Sequence, residues 1–146
     1  ALNAIISKSF PNLPNTVIVA NNVAIGRAAL DANTTASNNV AVGTNALTAN
    51  TTGTANVAIG KSALEATVSG GYNTAIGLSA LAANLAADNT AVGYNALVAN
   101  TTGTNNVAVG NNALDSNTTG DANTSIGQGS LASNTTADNN TAVGRN

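Results

Sequence analysis

The stretch Asn106-Val107-Ala108-Val109-Gly110-Asn111-Asn112-Ala113-Leu114 holds the pattern on which the fold turns: an asparagine, three residues that favour extended backbone, a glycine, and a leucine four residues on. Its first five residues recur with small changes from Asn22, Asn39, Asn56, Asn73, Asn89, Asn106, Asn123 and Asn140, at a step of 17 residues with one step of 16 after Asn73. Counting each repeat from its asparagine, position 5 is always glycine (Gly26, Gly43, Gly60, Gly77, Gly93, Gly110, Gly127, Gly144). Position 9 is always leucine (Leu30, Leu47, Leu64, Leu81, Leu97, Leu114, Leu131). Most repeats then carry an Asn-Thr-Thr turn, as in Asn50-Thr51-Thr52-Gly53. The one deletion falls in this turn, between Leu85 and Asp88, where a surface loop tolerates it.

A 17-residue period is too short for a helix-turn-helix repeat or a propeller blade, and it suits one coil of a solenoid. Val-Ala-Ile, bounded by Asn and Gly, predicts one strand per coil, and the strands stack in parallel about 4.8 Å apart. An antiparallel meander is the weaker reading, because two-residue hairpins favour Asn-Gly and the chain contains no such pair. Positions 6–11, such as Arg27-Ala28-Ala29-Leu30-Asp31-Ala32, read either as a second strand or as one helical turn. Positions 6 and 10 change together: Arg27 with Asp31, Lys61 with Glu65, Leu78 with Ala82, Tyr94 with Val98. Partners four apart touch on a helix but lie about 13 Å apart along a strand, which inclines the reading towards the helical turn.

Within the strand, positions 2 and 4 (Val/Thr and Ile/Val) share one face, and positions 3 and 5 (Ala/Ser and Gly) the other. The larger Val/Ile set is expected to fill the lumen with the leucines, leaving the small, smooth face to pack on another chain, since a strand apolar on both sides is usually buried on both. Exposure of the Ala/Gly face to solvent is the alternative. The position-1 asparagines are expected to form a structural ladder along the stack.

Composition narrows the function. Alanine, asparagine and threonine (30, 26 and 20 residues) make up about half of the chain, and Cys, His, Met and Trp are absent. Disulfides, thiolate or imidazole metal sites and Ser/His or Cys/His nucleophiles are therefore unavailable, which argues against an enzyme; no cofactor and no metal are expected. Four basic against six acidic residues, a net charge of -2, argue against nucleic acid and against an anionic bilayer surface. No apolar run approaches a membrane span. Regular Val, Ile and Leu argue against disorder.

The acids Asp31, Glu65, Asp88, Asp115, Asp121 and Asp138 form no calcium-loop pattern and read as solvated, with Asp115 and Asp121 the pair to weigh as facing carboxylates. The sequons at Asn33, Asn50, Asn100, Asn117, Asn123, Asn134 and Asn139 read as turn residues. Leu78 and Tyr94 occupy position 6 of adjacent coils and, with Ala82 and Val98, make a candidate contact patch for a receptor, a glycan or a sister chain.

The motif Asn-Val-Ala-Ile-Gly, as in Asn56 to Gly60 and Asn106 to Gly110, resembles the repeats of the YadA-like head of trimeric autotransporter adhesins. The longer form Asn89-Thr-Ala-Val-Gly-Tyr-Asn-Ala-Leu-Val-Ala-Asn-Thr-Thr-Gly103 is also similar to repeats of phage tail-fibre proteins. The resemblance covers residues 22 to 146. It implies an all-β fold, a left-handed parallel β-roll, in a homotrimer with an extracellular place on a cell surface or virion fibre. There it would serve as a rigid spacer and adhesive surface for a host receptor, matrix protein or glycan. The 17-residue period and the position-9 leucine depart from the family's shorter coils. The structural residues of the repeat are then typified by Asn22, Gly26 and Leu30, by Asn56, Gly60 and Leu64, and by Asn106, Gly110 and Leu114. An ice-binding β-solenoid is the alternative, since a low-charge, Thr-rich coil can rank hydroxyls; its threonines, however, come as adjacent pairs whose side chains diverge.

Two regions make up the chain: 1–21, with Phe10, Pro11, Pro14 and the run Thr16 to Ala20, read as a cap on the first coil or an attachment arm, and 22–146, seven full repeats with a partial eighth. A start at Ala1 without Met or a signal-peptide pattern, and an end in mid-coil after Arg145-Asn146, suggest a piece processed or excised from a longer chain. Docking of coil eight on the next molecule is the other reading of that end.

Overall fold

The structure is a computed structural model and describes residues 21–145. The segment 1–21, expected to be a cap or arm, lies apart from Asn21 outside the described residues. Eight three-residue strands follow one another: β1 Val23–Ile25, β2 Val40–Val42, β3 Val57–Ile59, β4 Thr74–Ile76, β5 Thr90–Val92, β6 Val107–Val109, β7 Thr124–Ile126 and β8 Thr141–Val143. They form one parallel sheet in chain order, each residue level with its counterpart in the next repeat. The fold is an all-β solenoid with one strand per coil, as the repeat predicts.

Each strand stops at the position-5 glycine for two reasons. Its φ lies between +128° and +140°, which L side chains rarely adopt. In addition, a Cβ built on Gly93 would stand 2.4 Å from the carbonyl oxygen of Gly110, so the glycine backbones of neighbouring coils are in contact. From Gly26 to Gly127 position 5 leaves no room for a side chain.

Positions 6–11 form no helix, and the expected helical turn is corrected to a turn of alternating hand. The residues at position 7 (for example Asn45, φ 59°, and Ser62, φ 57°) and the leucines at position 9 (φ 49° to 53°) all adopt the left-handed conformation, which breaks both helix and strand. This alternation lets the backbone bond in both directions along the stack. Asn45 N–H donates back to Arg27 O at 2.9 Å, while Leu47 N–H donates forward to Ala63 O at 3.0 Å. The paired changes at positions 6 and 10 are not helical contacts either: Glu65 Oε1 accepts from Asn45 Nδ2 of the preceding coil at 3.2 Å. A left-handed leucine costs about 1–2 kcal/mol, and its complete burial in the interior coils offsets this.

The assignment of the two strand faces is also reversed. Ala41, Ala58, Ala75, Ala91 and Ala108, at position 3, are 0% exposed and pack with the position-8 alanines and position-9 leucines. The Val/Ile positions 2 and 4 point outward, as at Ile25, Ile59 and Ile76, about two-fifths exposed each. The lumen of a short coil is already filled by its leucine, and only a methyl fits opposite; a row of isoleucines there would overpack it.

Asparagine builds the other half of the interior. Asn56 N–H donates to Asn39 Oδ1 at 2.9 Å, and Asn39 Nδ2 donates to Gly53 O at 2.9 Å, so the position-1 ladder runs from amide to backbone. A second buried row runs through position 12, where the sequence suggests only a turn. Asn100 Nδ2 reaches Asn84 Oδ1 at 2.7 Å and Gly103 O at 2.9 Å, and Asn117 Nδ2 reaches Asn100 Oδ1 at 2.9 Å. In a typical coil the two amides clamp one position-15 carbonyl: Gly103 O takes both Asn89 and Asn100.

Candidate interaction surface

The outward side of the sheet carries two unbroken rows. Position 2 reads Val23, Val40, Val57, Thr74, Thr90, Val107, Thr124, Thr141, and position 4 reads Ile25, Val42, Ile59, Ile76, Val92, Val109, Ile126, Val143. Neither row contains a charge, and the strict register of the coils makes them straight. Seven steps of about 4.8 Å and a width of about 10 Å give the face about 340 Å², the size of a functional patch on a monomer. The candidate docking face foreseen from the sequence is thus the Val/Ile side, not the Ala/Gly side.

The patch at positions 6 and 10 flanks this face on coils four and five. Leu78 is 45% and Tyr94 49% exposed, while Ala82 and Val98 are half-buried. Backbone bonds from Asn95 N–H to Leu78 O (3.1 Å) and from Ala83 N–H to Val98 O (3.2 Å) hold the four residues on adjoining coils, as the spacing requires. Polar residues frame them, with Lys61 and Glu65 on one side and Asn111 and Asp115 on the other.

The nine residues that typify the repeat sit inside or at the turn. Asn56 and Asn106 are fully buried, as are Leu64 and Leu114; Leu30 is 4% exposed and Asn22 donates to Ala36 O at 2.8 Å. Gly26, Gly60 and Gly110 each abut the glycine of the next coil.

The acids do not converge. Asp121 Oδ1 accepts from Thr104 N–H at 2.6 Å, Asp138 Oδ1 accepts from Asp121 N–H at 2.8 Å, and Asp115 Oδ1 accepts from Ser116 Oγ at 3.3 Å. Asp115 and Asp121 therefore serve separate neighbours. Among the described residues no group of three or more His, Cys, Asp or Glu comes together, and no helix is long and apolar enough to cross a membrane. A cavity of about 560 Å³ lies over coil seven, lined by Ser130, Leu131, Asn134, Asn140 and Ala142 among others, and holds no acid.

The turn threonines divide by position. Thr51 Oγ1 donates to Val68 O at 3.2 Å and Thr101 Oγ1 to Thr118 O at 2.9 Å, so position-13 hydroxyls are spent on the next coil; Thr52, Thr102 and Thr119 at position 14 are exposed. Four of the sequon asparagines (Asn50, Asn100, Asn117, Asn123) are fully buried, so in the folded chain they are ladder residues. Sequence reasoning missed Val68 and Leu85, exposed at position 13 of coils three and four; their signal was the loss of threonine beside the 16-residue coil. Comparison of the chain with protein-family models, with curated proteins and with solved structures returns no match.

Proposed function

We propose that the chain is a stiff, non-catalytic segment of a surface fibre, in which three copies pack side by side through their outward Val/Ile rows. One observation carries this reading: an uncharged face, a full row of Ile and Val beside a row of Val and Thr, runs the whole length of the sheet on the outside of the coil, where a lone chain leaves it in water. A face of about 340 Å² falls short of the about 800 Å² per partner of a standard interface. A single pairwise contact on that face is too small by itself, and the number three comes from the resemblance alone. The left-handed β-roll, the homotrimer and the extracellular place are those implied by the resemblance to YadA-like heads and tail fibres. The Leu78, Ala82, Tyr94, Val98 patch is the adhesive contact, for a receptor, matrix protein or glycan.

Ice binding is the weaker reading, because four of the ten paired turn hydroxyls, those of Thr34, Thr51, Thr101 and Thr118, are engaged within the coil stack. Light scattering coupled to size exclusion tests the proposal: a mass near three times 14.1 kDa supports it, and a monomer at micromolar concentration overturns it.

A further inference from the structure

We infer that the short coil four (73–88) is a built-in seam: the solenoid opens first at its junctions with coil three (56–72) and with coil five. Bonds at position 13 that the regular junctions make are missing at the first of these, and the second keeps only Leu85 N–H to Thr101 O at 2.9 Å. At position 13 the coils are normally joined by a forked pair of backbone bonds. Thr51 and Thr52 N–H both reach Val68 O (2.9 and 3.2 Å), and Thr101 and Thr102 N–H both reach Thr118 O (2.9 and 3.2 Å). Coil four is one residue short in this turn, and among the described residues no backbone carbonyl accepts from Val68 or Ser69.

Two further links are lost at the same place. The position-13 hydroxyl that donates forward from Thr34, Thr51, Thr101 and Thr118 is replaced by the side chain of Val68, 44% exposed, at the junction with coil three and by that of Leu85, 49% exposed, at the junction with coil five. The position-12 amide ladder is interrupted by Thr67. Its Oγ1 donates to Asn84 O at 2.7 Å, but Asn84 has no amide to bond behind it, and Gly70 O keeps only the clamp from Asn56. The strand side stays intact, with Val57 N–H on Asn73 O at 2.8 Å. The seam is therefore open along one side of the coil and closed along the sheet. In a stack where each coil touches only its neighbours, stability is a sum over junctions, so the weakest interior junction sets where the rod parts.

Native-state hydrogen exchange on the full chain, read by mass spectrometry, tests this with a matched control. Leu64, Ala66 and Ser79 donate across junction three-four, and Leu97, Ala99 and Asn112 donate at the same repeat positions across junction five-six. Junction three-four has coils one to three on its outer side, and junction five-six has coils six and seven with the strand of coil eight. The first set is expected to exchange at least about tenfold faster, after correction for intrinsic rates, as one cooperative group. Equal protection of the two sets overturns the inference.

A repaired chain, with Thr67→Asn, Val68→Thr, Leu85→Thr and one threonine inserted after residue 85, is expected to slow the first set to the rate of the second; persistence of the fast group in that chain also overturns it. Should the repaired chain not fold, deletion of Thr119 with Asn100→Thr and Thr101→Val copies the defect onto junction five-six. That junction is then expected to become fast, and its remaining slow is equally fatal.

Discussion

Gly93→Ala isolates the contact that spaces the coils. Two costs fall on the new methyl. The first is conformational: φ is +140° at Gly93, a region nearly confined to glycine, at about 1–3 kcal/mol. The second is steric. The Cβ would stand 2.4 Å from Gly110 O and 2.6 Å from its carbonyl carbon, against about 3.4 Å for ordinary contact, so the two coils must separate by about 1 Å. Separation stretches the flanking bonds, Gly110 N–H to Val92 O among them at 2.8 Å, and such overpacking typically costs about 1–3 kcal/mol. The sum is about 2–6 kcal/mol. Gly144→Ala is the control, because φ is +135° there but no atom lies within 4 Å, so it meets the first cost alone. Thermal unfolding followed by circular dichroism should place Gly93→Ala several degrees below Gly144→Ala, at about 2–4 °C per kcal/mol for a chain of this size. Equal midpoints for the two variants would refute the claim that glycine contact sets the coil spacing.

Other expectations follow from the same geometry. Asn100→Ala removes donors to Asn84 Oδ1 and Gly103 O and an acceptor for Asn117; the loss should be about 2–4 kcal/mol in urea unfolding, whereas exposed Asn111→Ala should change stability by less than about 0.5 kcal/mol. Leu97→Ala, at a fully buried position, should cost about 2–5 kcal/mol. Ile76→Glu with Val92→Glu should turn the assembly into monomers on light scattering while the circular dichroism spectrum stays that of the parent. Tyr94→Ala should leave the assembled mass unchanged and weaken adhesion to cells or matrix by about tenfold; unchanged adhesion would remove Tyr94 from the contact surface.

Sequence reached the fold where one residue type had one physical use. Glycine at position 5 and the β-rich triplet before it mark the strand and its end, and the absence of Asn-Gly separates parallel stacking from hairpins. It failed where a pattern served two uses. Alternation in Val-Ala-Ile says that the sides of the strand differ, but not which side meets the lumen; that depends on the volume left by Leu97 and its equivalents, a tertiary quantity. The helical reading of positions 6–11 rested on side chains four apart, yet left-handed leucine has no propensity signal, because it is tolerated only through burial. Small residues and asparagine at position 7, such as Asn45, Ser62 and Asn95, were the visible trace of positive φ. The position-12 asparagines looked like turn residues because Asn-Thr-Thr is turn chemistry; only the stacked coils show that Asn100 and Asn117 face inward. The contact patch was legible as a juxtaposition, since position 6 of adjacent coils must be adjacent, but its exposure and polar frame were not.

The reversal of the strand faces bears on function more than on fold. Had the isoleucines lined the lumen, the alanines outside would leave a smooth rod with little reason to associate. With alanine inside, each coil buries one leucine and a few methyls in its own lumen and leaves its branched residues on the outer face. A β-surface of that kind, two rows wide and uncharged, is an aggregation hazard in an isolated chain. Among the described residues every other outward position is polar or small apart from Val68, Leu85, Tyr72 and the Leu78 to Val98 patch, so apolar exposure is not a general property of this surface. Its confinement to one side of the sheet, in register over eight repeats, is the pattern of an interface. In the proposed assembly these larger apolar side chains would form a core between chains, and the solenoid supplies the spacing that keeps them in line.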